Sequence, residues 1–109
     1  MFCRVLEAKV QPGRMEQALA IISQQVEKVK STGGFLFAQA MQSGDDLLVV
    51  SSWRTEKDIR GYAASDLARD MFARLSPLLV ESPTVKSFAM KLVVEGDEGF
   101  LSRDEGGEG

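Results

Sequence analysis

The segment DDLLVVSSWRTEKDIRGYAASDLARD, residues 45–70, decides the fold, because a strand, an indole ring and two helix starts follow one another in it. The apolar run Leu47–Val50 is typical of a β-strand, and the strand continues through Trp53, the only tryptophan of the chain. We predict that the other elements of the chain cover this strand and its terminal ring.

Two helices are predicted after this strand. Thr55, with Asp58 three residues on, approximates a capping box, so a short helix begins there. Tyr62, the only tyrosine, lies in this helix. Ser65 is a second N-cap candidate and starts another helix, which Ser76-Pro77 ends or kinks. The apolar stripe of this last helix consists of Leu67, Met71, Phe72 and Leu75.

A strand and a long helix are predicted upstream. Residues 2–10 are β-prone, and Gln11-Pro12-Gly13 breaks the strand. Residues 14–31 place apolar side chains at the three-four spacing of an amphipathic helix, which Gly33-Gly34 stops. The stripe consists of Met15, Ala18, Leu19, Ile22, Val26 and Val29.

A hairpin joins the two halves of the chain. Residues 35–42 are predicted as the second strand and 47–54 as the third, so that Gln42 pairs with Leu47 across a short turn. Residues 84–94 are predicted as the fourth strand. The order is β-α-β-β-α-β, an α+β fold of the ferredoxin-like type with an antiparallel sheet and its helices on one face.

The predicted register divides the hairpin side chains between two faces. The face toward the helices carries Leu36, Ala38, Ala40, Leu47, Val49, Ser51 and Trp53. The opposite face is also largely apolar, and single-domain proteins seldom leave such a patch in water. We therefore predict a homodimer that stacks sheet to sheet through Phe35, Phe37, Met41, Leu48 and Val50.

Composition bounds the class of protein. The 109 residues, 44% hydrophobic and 27% charged, fit one globular domain, predicted over residues 1–94. Residues 95–109 are acidic and glycine-rich, and a disordered tail is predicted there. No apolar run is long enough to span a membrane, and the bases are too scattered to indicate nucleic-acid binding. Cys3 is the only cysteine, which fits a cytoplasmic protein.

Three short motifs carry a resemblance to a known family. They are V-x-P-G at Val10–Gly13, S-x-W at Ser51–Trp53 and Y-A-A-S at Tyr62–Ser65. Over roughly residues 2–94 the chain resembles the antibiotic biosynthesis monooxygenase superfamily, whose members are dimeric α/β barrels built from this unit. The tyrosine of the last motif stands where histidine is common in the family.

The resemblance implies a choice between two chemistries. Some members oxidise polycyclic phenols with O₂ and no metal or flavin, the deprotonated substrate supplying the electrons. Others degrade haem with an asparagine on the first strand, a tryptophan and a histidine ligand. This chain has no histidine and no asparagine, and Leu6 stands at the asparagine's position. The resemblance therefore implies oxidation of a small aromatic or quinone-type compound by O₂, with no cofactor and no metal.

Candidate site residues follow from the helix-facing set and from the resemblance. Trp53, Tyr62 and Arg4 are the candidate catalytic residues, with Tyr62 as a general acid and Arg4 as the partner of a phenolate. Structural interpretations of these residues stay open. The rings of Trp53 and Tyr62 could simply pack in the core, and the Arg4 side chain could extend its charged end to solvent. The candidate substrate-binding residues are Leu6, Ala38, Ala40, Ser51, Met71 and Phe72.

Three functions remain open at this point. The first is a cofactor-independent monooxygenase, and the second is a non-catalytic small-molecule-binding or sensing dimer on the same fold. The third is a partner-binding module whose acidic tail makes the contact. The first two require a cavity between the helices and the sheet, and we predict such a cavity with Trp53 as one wall.

Overall fold

The computed structural model describes residues 1–99, and within them the predicted order of elements is confirmed. The second helical segment is divided in two at Ser65. The elements are β1 (Phe2–Lys9), α1 (Met15–Val29), β2 (Phe35–Ser43), β3 (Asp46–Trp53), α2 (Glu56–Ala63), α3 (Asp66–Leu75), a 3₁₀ turn (Ser76–Leu78) and β4 (Thr84–Ala89).

The four described strands form one antiparallel sheet in the order β2-β3-β1-β4, which is the α+β ferredoxin-like arrangement. None of the helices in the described part of the chain is long and apolar enough to cross a membrane. The predicted tail, residues 95–109, falls outside the described residues from position 100 onward.

Both predicted helix caps are confirmed. The Thr55 hydroxyl oxygen accepts a hydrogen bond from the backbone N–H of Asp58 at 3.1 Å. The Ser65 hydroxyl oxygen accepts one from the N–H of Ala68 at 3.2 Å. Each cap satisfies an N–H that has no partner inside its helix, so α2 and α3 begin where the sequence predicts.

The fourth strand is shorter than predicted. Ala89 pairs with Phe2, and the N–H of Met90 donates to the carbonyl of Met1 at 2.8 Å. Because β1 begins at Phe2, the ladder ends there, and residues 91–94 have no strand partner among residues 1–99. The predicted end of this strand at Val94 is therefore wrong.

The hairpin register is confirmed at Gln42, which pairs with Leu47, but it is wrong at the start of β2. A bulge between Phe35 and Phe37 leaves Leu36 without an opposite residue, and Phe35 then pairs with Trp53. An extra residue in one strand reverses the alternation of side chains beyond it. Phe35 therefore packs in the core against Trp53, and the prediction that it belongs to the outer dimer face is wrong.

The core consists of two hydrophobic clusters on the helix side of the sheet. The larger cluster joins β1, β3, α1 and α3 through residues that include Leu6, Ile22, Leu47, Met71 and Leu75. The second, which we call the indole cluster, consists of Val29, Trp53, Ile59, Tyr62 and Ala68, with Phe2, Phe35 and Leu67 packed against it.

Gly34 gives the first testable prediction. Its φ is +87°, and a Cβ added there would overlap the side chain of Asp58, whereas Gly13 has φ +82° and open space around it. Both Gly34→Ala and Gly13→Ala should lower the free energy of unfolding by about 1–2 kcal/mol, because alanine is strained in the left-handed backbone conformation. Gly34→Ala should lower it by about 1–3 kcal/mol more, because the Asp58 side chain, which accepts a hydrogen bond from the Thr55 hydroxyl, must move. Urea unfolding of the two variants measures the difference, and equal losses would contradict it.

Candidate functional site

A cavity of about 50 Å³ lies on the helix side of the sheet and draws its walls from both core clusters. The three candidate catalytic residues Arg4, Trp53 and Tyr62 all line it. Four candidate substrate-binding residues also line it: Leu6, Ala38, Ser51 and Met71. The structure therefore brings together seven of the nine predicted site residues around one space.

The two remaining predicted residues lie just beyond this cavity. Ala40 lines a groove of about 320 Å³ between α1 and β2, and Phe72 lies against the Arg4 guanidinium. The groove shares Ile22, Val26, Ala38 and Val49 with the cavity. The cavity alone is smaller than the roughly 150 Å³ of an apolar cavity that holds benzene. Together with the groove it reaches the size of small-molecule sites, about 300–1,000 Å³.

Trp53 forms a fixed wall of the cavity. Its side chain is 0% exposed, and its indole N–H donates to the Ser51 hydroxyl at 3.0 Å. The Tyr62 ring stacks on it at 5.3 Å between centroids, and the Phe35 ring meets it edge-on at 5.2 Å. Since the indole N–H is already bonded and the ring is fully buried, Trp53 contributes a packed apolar wall and no free donor.

Arg4 carries the charge of the site. It is only 8% exposed, so its side chain does not snorkel to solvent. Its guanidinium carbon lies 5.4 Å from the Tyr62 ring centroid and 5.9 Å from that of Phe72. Within residues 1–99 no carboxylate pairs with it and no acceptor takes a hydrogen bond from it. Burial lowers the pKa of Arg4, and attraction to Tyr62 opposes this shift.

A guanidinium stays protonated in proteins, so burial leaves a cation whose contacts within residues 1–99 are with the ring faces of Tyr62 and Phe72. A buried charge without an anionic partner is costly. The environment of Arg4 is therefore suited to an anion that enters the cavity.

Gln25, on α1, is a site residue that the sequence analysis missed. It is 4% exposed and lines the cavity, and its side-chain amide nitrogen lies 2.6 Å from the Tyr62 hydroxyl and 3.1 Å from the Leu67 carbonyl oxygen. The available signal was its place on the buried stripe of α1, one turn from both Ile22 and Val29. A polar residue on such a stripe requires a polar partner in the interior.

No titratable base lies among the residues that line the cavity. The described lining contains no Asp, Glu, His or Lys side chain, and its polar groups belong to Arg4, Gln25, Ser51, Trp53 and Tyr62. In residues 1–99 no group of three His, Cys, Asp or Glu side chains is placed to hold a metal ion. The arrangement can therefore bind an anion and donate a proton, but a substrate must lose its own proton without a carboxylate or histidine base.

Comparison with known proteins identifies relatives of this fold. The family model for antibiotic biosynthesis monooxygenase matches residues 1–74. No curated protein matches the chain in sequence.

Solved structures match over most of the chain. A protein from Mycobacterium tuberculosis has a TM-score of 0.76 at 14% identity, with 86% of this chain and 98% of that chain covered. A protein from Nitrosomonas europaea, provisionally named antibiotic biosynthesis monooxygenase, has a TM-score of 0.74 at 13% identity, with 83% of this chain and 98% of that chain covered. A protein of the same provisional name from Caulobacter crescentus has a TM-score of 0.73 at 19% identity, with 83% of this chain and 90% of that chain covered. At these identities the similarity shows the fold alone.

The unpaired charge of Arg4 gives the second prediction. Arg4→Met replaces the buried cation by an apolar side chain of similar length, so we expect the free energy of unfolding to rise by on the order of 1 kcal/mol or more. Urea unfolding measures this change, and the exposed Arg54→Met is the matched control, with an expected change within about 0.5 kcal/mol. A less stable Arg4→Met would show that the contacts with Tyr62 and Phe72 outweigh the desolvation of the charge.

Proposed function

The chain belongs to the antibiotic biosynthesis monooxygenase family, and on that premise we propose that it oxidises a small aromatic or quinone-type compound with O₂ and without a cofactor. The observation that carries the proposal is the buried guanidinium of Arg4, which lines the cavity and has no carboxylate partner among residues 1–99. A phenolate or enolate oxygen suits this position, because a charge-assisted hydrogen bond would replace the solvation that Arg4 has lost.

Binding beside Arg4 favours the ionised form of an acidic substrate. A nearby cation lowers the pKa of a phenol or of a ketone that enolises. The proton then leaves to solvent, which is consistent with a cavity lining that contains no carboxylate and no histidine. The electron-rich carbanion or phenolate is the species that can react with O₂ directly.

The reaction balances without another reductant. For an anthrone-type methylene, R₂CH₂ and O₂ give R₂C=O and H₂O, and the substrate supplies all four electrons that O₂ takes up. A carbon–oxygen bond forms first, and in this proposal the hydroxyl of Tyr62, a residue of the cavity lining, protonates the distal oxygen of the resulting peroxide. Loss of the second C–H proton then breaks the O–O bond, one oxygen remains as the carbonyl and the other leaves as water.

The shape of the site limits where the substrate lies. The buried cavity of about 50 Å³ accommodates the oxygen-bearing end, while the groove between α1 and β2 takes the rest of a larger ring system. Ala38 lines both spaces, and Ala40 lines the groove. Small side chains there leave room for a flat ring against Trp53 and the strands.

The third prediction tests turnover. Oxygen uptake with a simple anthrone should be faster with the wild-type protein than without it, and Arg4→Met should reduce kcat/KM by roughly tenfold to a hundredfold, the value of one charge-assisted hydrogen bond. An oxygen electrode measures the rates, and Arg54→Met should leave them unchanged. Because Arg4→Met is expected to be more stable than the wild type, its loss of activity would not reflect unfolding.

A second candidate function is a non-catalytic small-molecule-binding or sensing protein. The absence of a base from the described cavity lining favours it. Saturable binding of planar phenolates, followed by Trp53 fluorescence, without any oxygen uptake would support this function and contradict the monooxygenase.

We also propose that the protein is a homodimer that pairs through the outer face of the sheet. This proposal is supported by an apolar surface away from the helices, where Met41 is 44% and Phe88 48% exposed and Phe37, Leu48 and Val50 are half-buried. Each such side chain contributes about 1.5–3 kcal/mol when it is fully buried.

The fourth prediction follows from this surface. The wild-type protein should sediment as a dimer at micromolar concentration, and Phe37→Asp should sediment as a monomer of about 12 kDa. Ala20→Asp, at an exposed position of α1, is the control and should leave the dimer intact. A monomeric wild-type protein at that concentration would rule out the pairing.

A further inference from the structure

The guanidinium of Arg4 is buried, but its nitrogens are not sealed off. Among residues 1–99, the fully enclosed side-chain nitrogen and oxygen atoms without a hydrogen bond are Gln25 Oε1 and Arg74 Nη2. Arg4 also makes no hydrogen bond there, yet its nitrogens are outside this set because each keeps surface that a water molecule can touch. Since Arg4 lines the cavity, its charge is open to a small occupant.

Two hydroxyl groups of the cavity lining are unused donors. Ser51 lies directly opposite Arg4 across the β1–β3 ladder, and its oxygen accepts from the Trp53 indole N–H at 3.0 Å. The Tyr62 ring lies 5.4 Å from the Arg4 guanidinium carbon, and its oxygen accepts from Gln25 Nε2 at 2.6 Å. Neither side-chain O–H donates to an acceptor within residues 1–99, so both hydrogens remain available.

The cavity is therefore rich in donors and poor in acceptors. The N–H groups of Arg4 and the two hydroxyls all require an acceptor, and the described lining contains no carboxylate. A water molecule would accept from them but would bring two hydrogens of its own. The side-chain acceptor that lacks a partner, Gln25 Oε1, is fully enclosed. An anion only accepts, and its contact with a guanidinium is charge-assisted.

The size of the cavity limits the size of the anion. Its volume is about 50 Å³, and the larger groove between α1 and β2 is not lined by Arg4. One water molecule takes up roughly 30 Å³, so the cavity admits an ion little larger than water and excludes a sugar acid such as gluconate. A guanidinium is weakly hydrated and suits an anion that also loses little hydration on burial.

We propose that the cavity is a halide site, in which chloride or bromide is bound by the Arg4 guanidinium and by the O–H groups of Ser51 and Tyr62. This site goes beyond the proposed oxidation, because the ion neutralises the buried charge of the resting protein and requires neither a phenol nor O₂. An organic anion that uses Arg4 must displace it. The expected dissociation constant is on the order of 10 mM, the value of one charge-assisted hydrogen bond.

The first test is urea unfolding in sodium chloride and in sodium gluconate at the same ionic strength. An ion that binds only the native state lowers the unfolding equilibrium constant, by about twentyfold at about 200 mM chloride for this affinity. Arg4→Met should lose this response, and the exposed Arg54→Met should keep it. The comparison of wild type with Arg4→Met removes the general effects of the two salts on unfolding.

The second test locates the ion directly. Crystals of the wild-type protein grown in sodium bromide should show a peak of anomalous scattering within hydrogen-bond distance of the Arg4 guanidinium. This measurement decides the question even if Arg4→Met does not fold.

The outcomes separate the halide site from the proposed oxidation. An equal chloride response in wild type and Arg4→Met, or no bromide peak beside Arg4, would overturn the site. A peak without a chloride response in solution would mean binding at crystal concentration only, and would overturn it as well. Because no phenol or O₂ is present in either test, these failures leave the oxidation standing. Absence of oxygen uptake contradicts only the monooxygenase.

Discussion

The burial of one indole ring is the constraint on which the rest of this structure depends. Trp53 is fully buried at the end of β3, opposite Phe2 on one side and Phe35 on the other, and it stacks on Tyr62 from α2. Four elements thus meet at a single side chain. Its large apolar surface favours this packing, and its N–H is satisfied by Ser51 two residues earlier on the same strand. The ring therefore stabilises the core and also provides one wall of the cavity.

Several polar groups in and beside the cavity lack a hydrogen-bond or ionic partner among residues 1–99. Arg4 brings a charge to the lining, the Tyr62 O–H has no acceptor within residues 1–99, and the buried Oε1 of the neighbouring Gln25 has no donor there. Cores normally satisfy their polar groups, and unsatisfied ones are characteristic of functional sites. The larger cluster contributes Leu6, Ile22 and Met71 to the apolar part of the cavity wall.

This division of the core is consistent with a protein that binds small molecules between its helices and its sheet. Helix α1 contributes to both spaces: Gln25 lies at the buried end, and Leu19 and Ser23 lie along the groove that faces β2. Small alanine side chains on β2 keep the groove open. The position of α1 relative to the sheet therefore controls both the size of the site and the placement of its hydrogen bonds.

The sequence by itself determined the order of the elements, the two helix caps and the pairing of Gln42 with Leu47. These follow from short-range physics: periodic apolar spacing, cap side chains that bond N–H groups three residues on, and turn residues between strands. Only the tertiary structure decided that the bulge turns Phe35 into the core, that Arg4 is buried with no carboxylate partner among residues 1–99, and that Gln25 meets Tyr62. Each of these depends on contacts between residues far apart in the chain, since Gln25 and Tyr62 are brought together by packing of α1 against the later helices. Local spacing indicates that Gln25 is buried, but it does not identify the partner, because the hydrogen bond to Tyr62 forms only once the helices have packed.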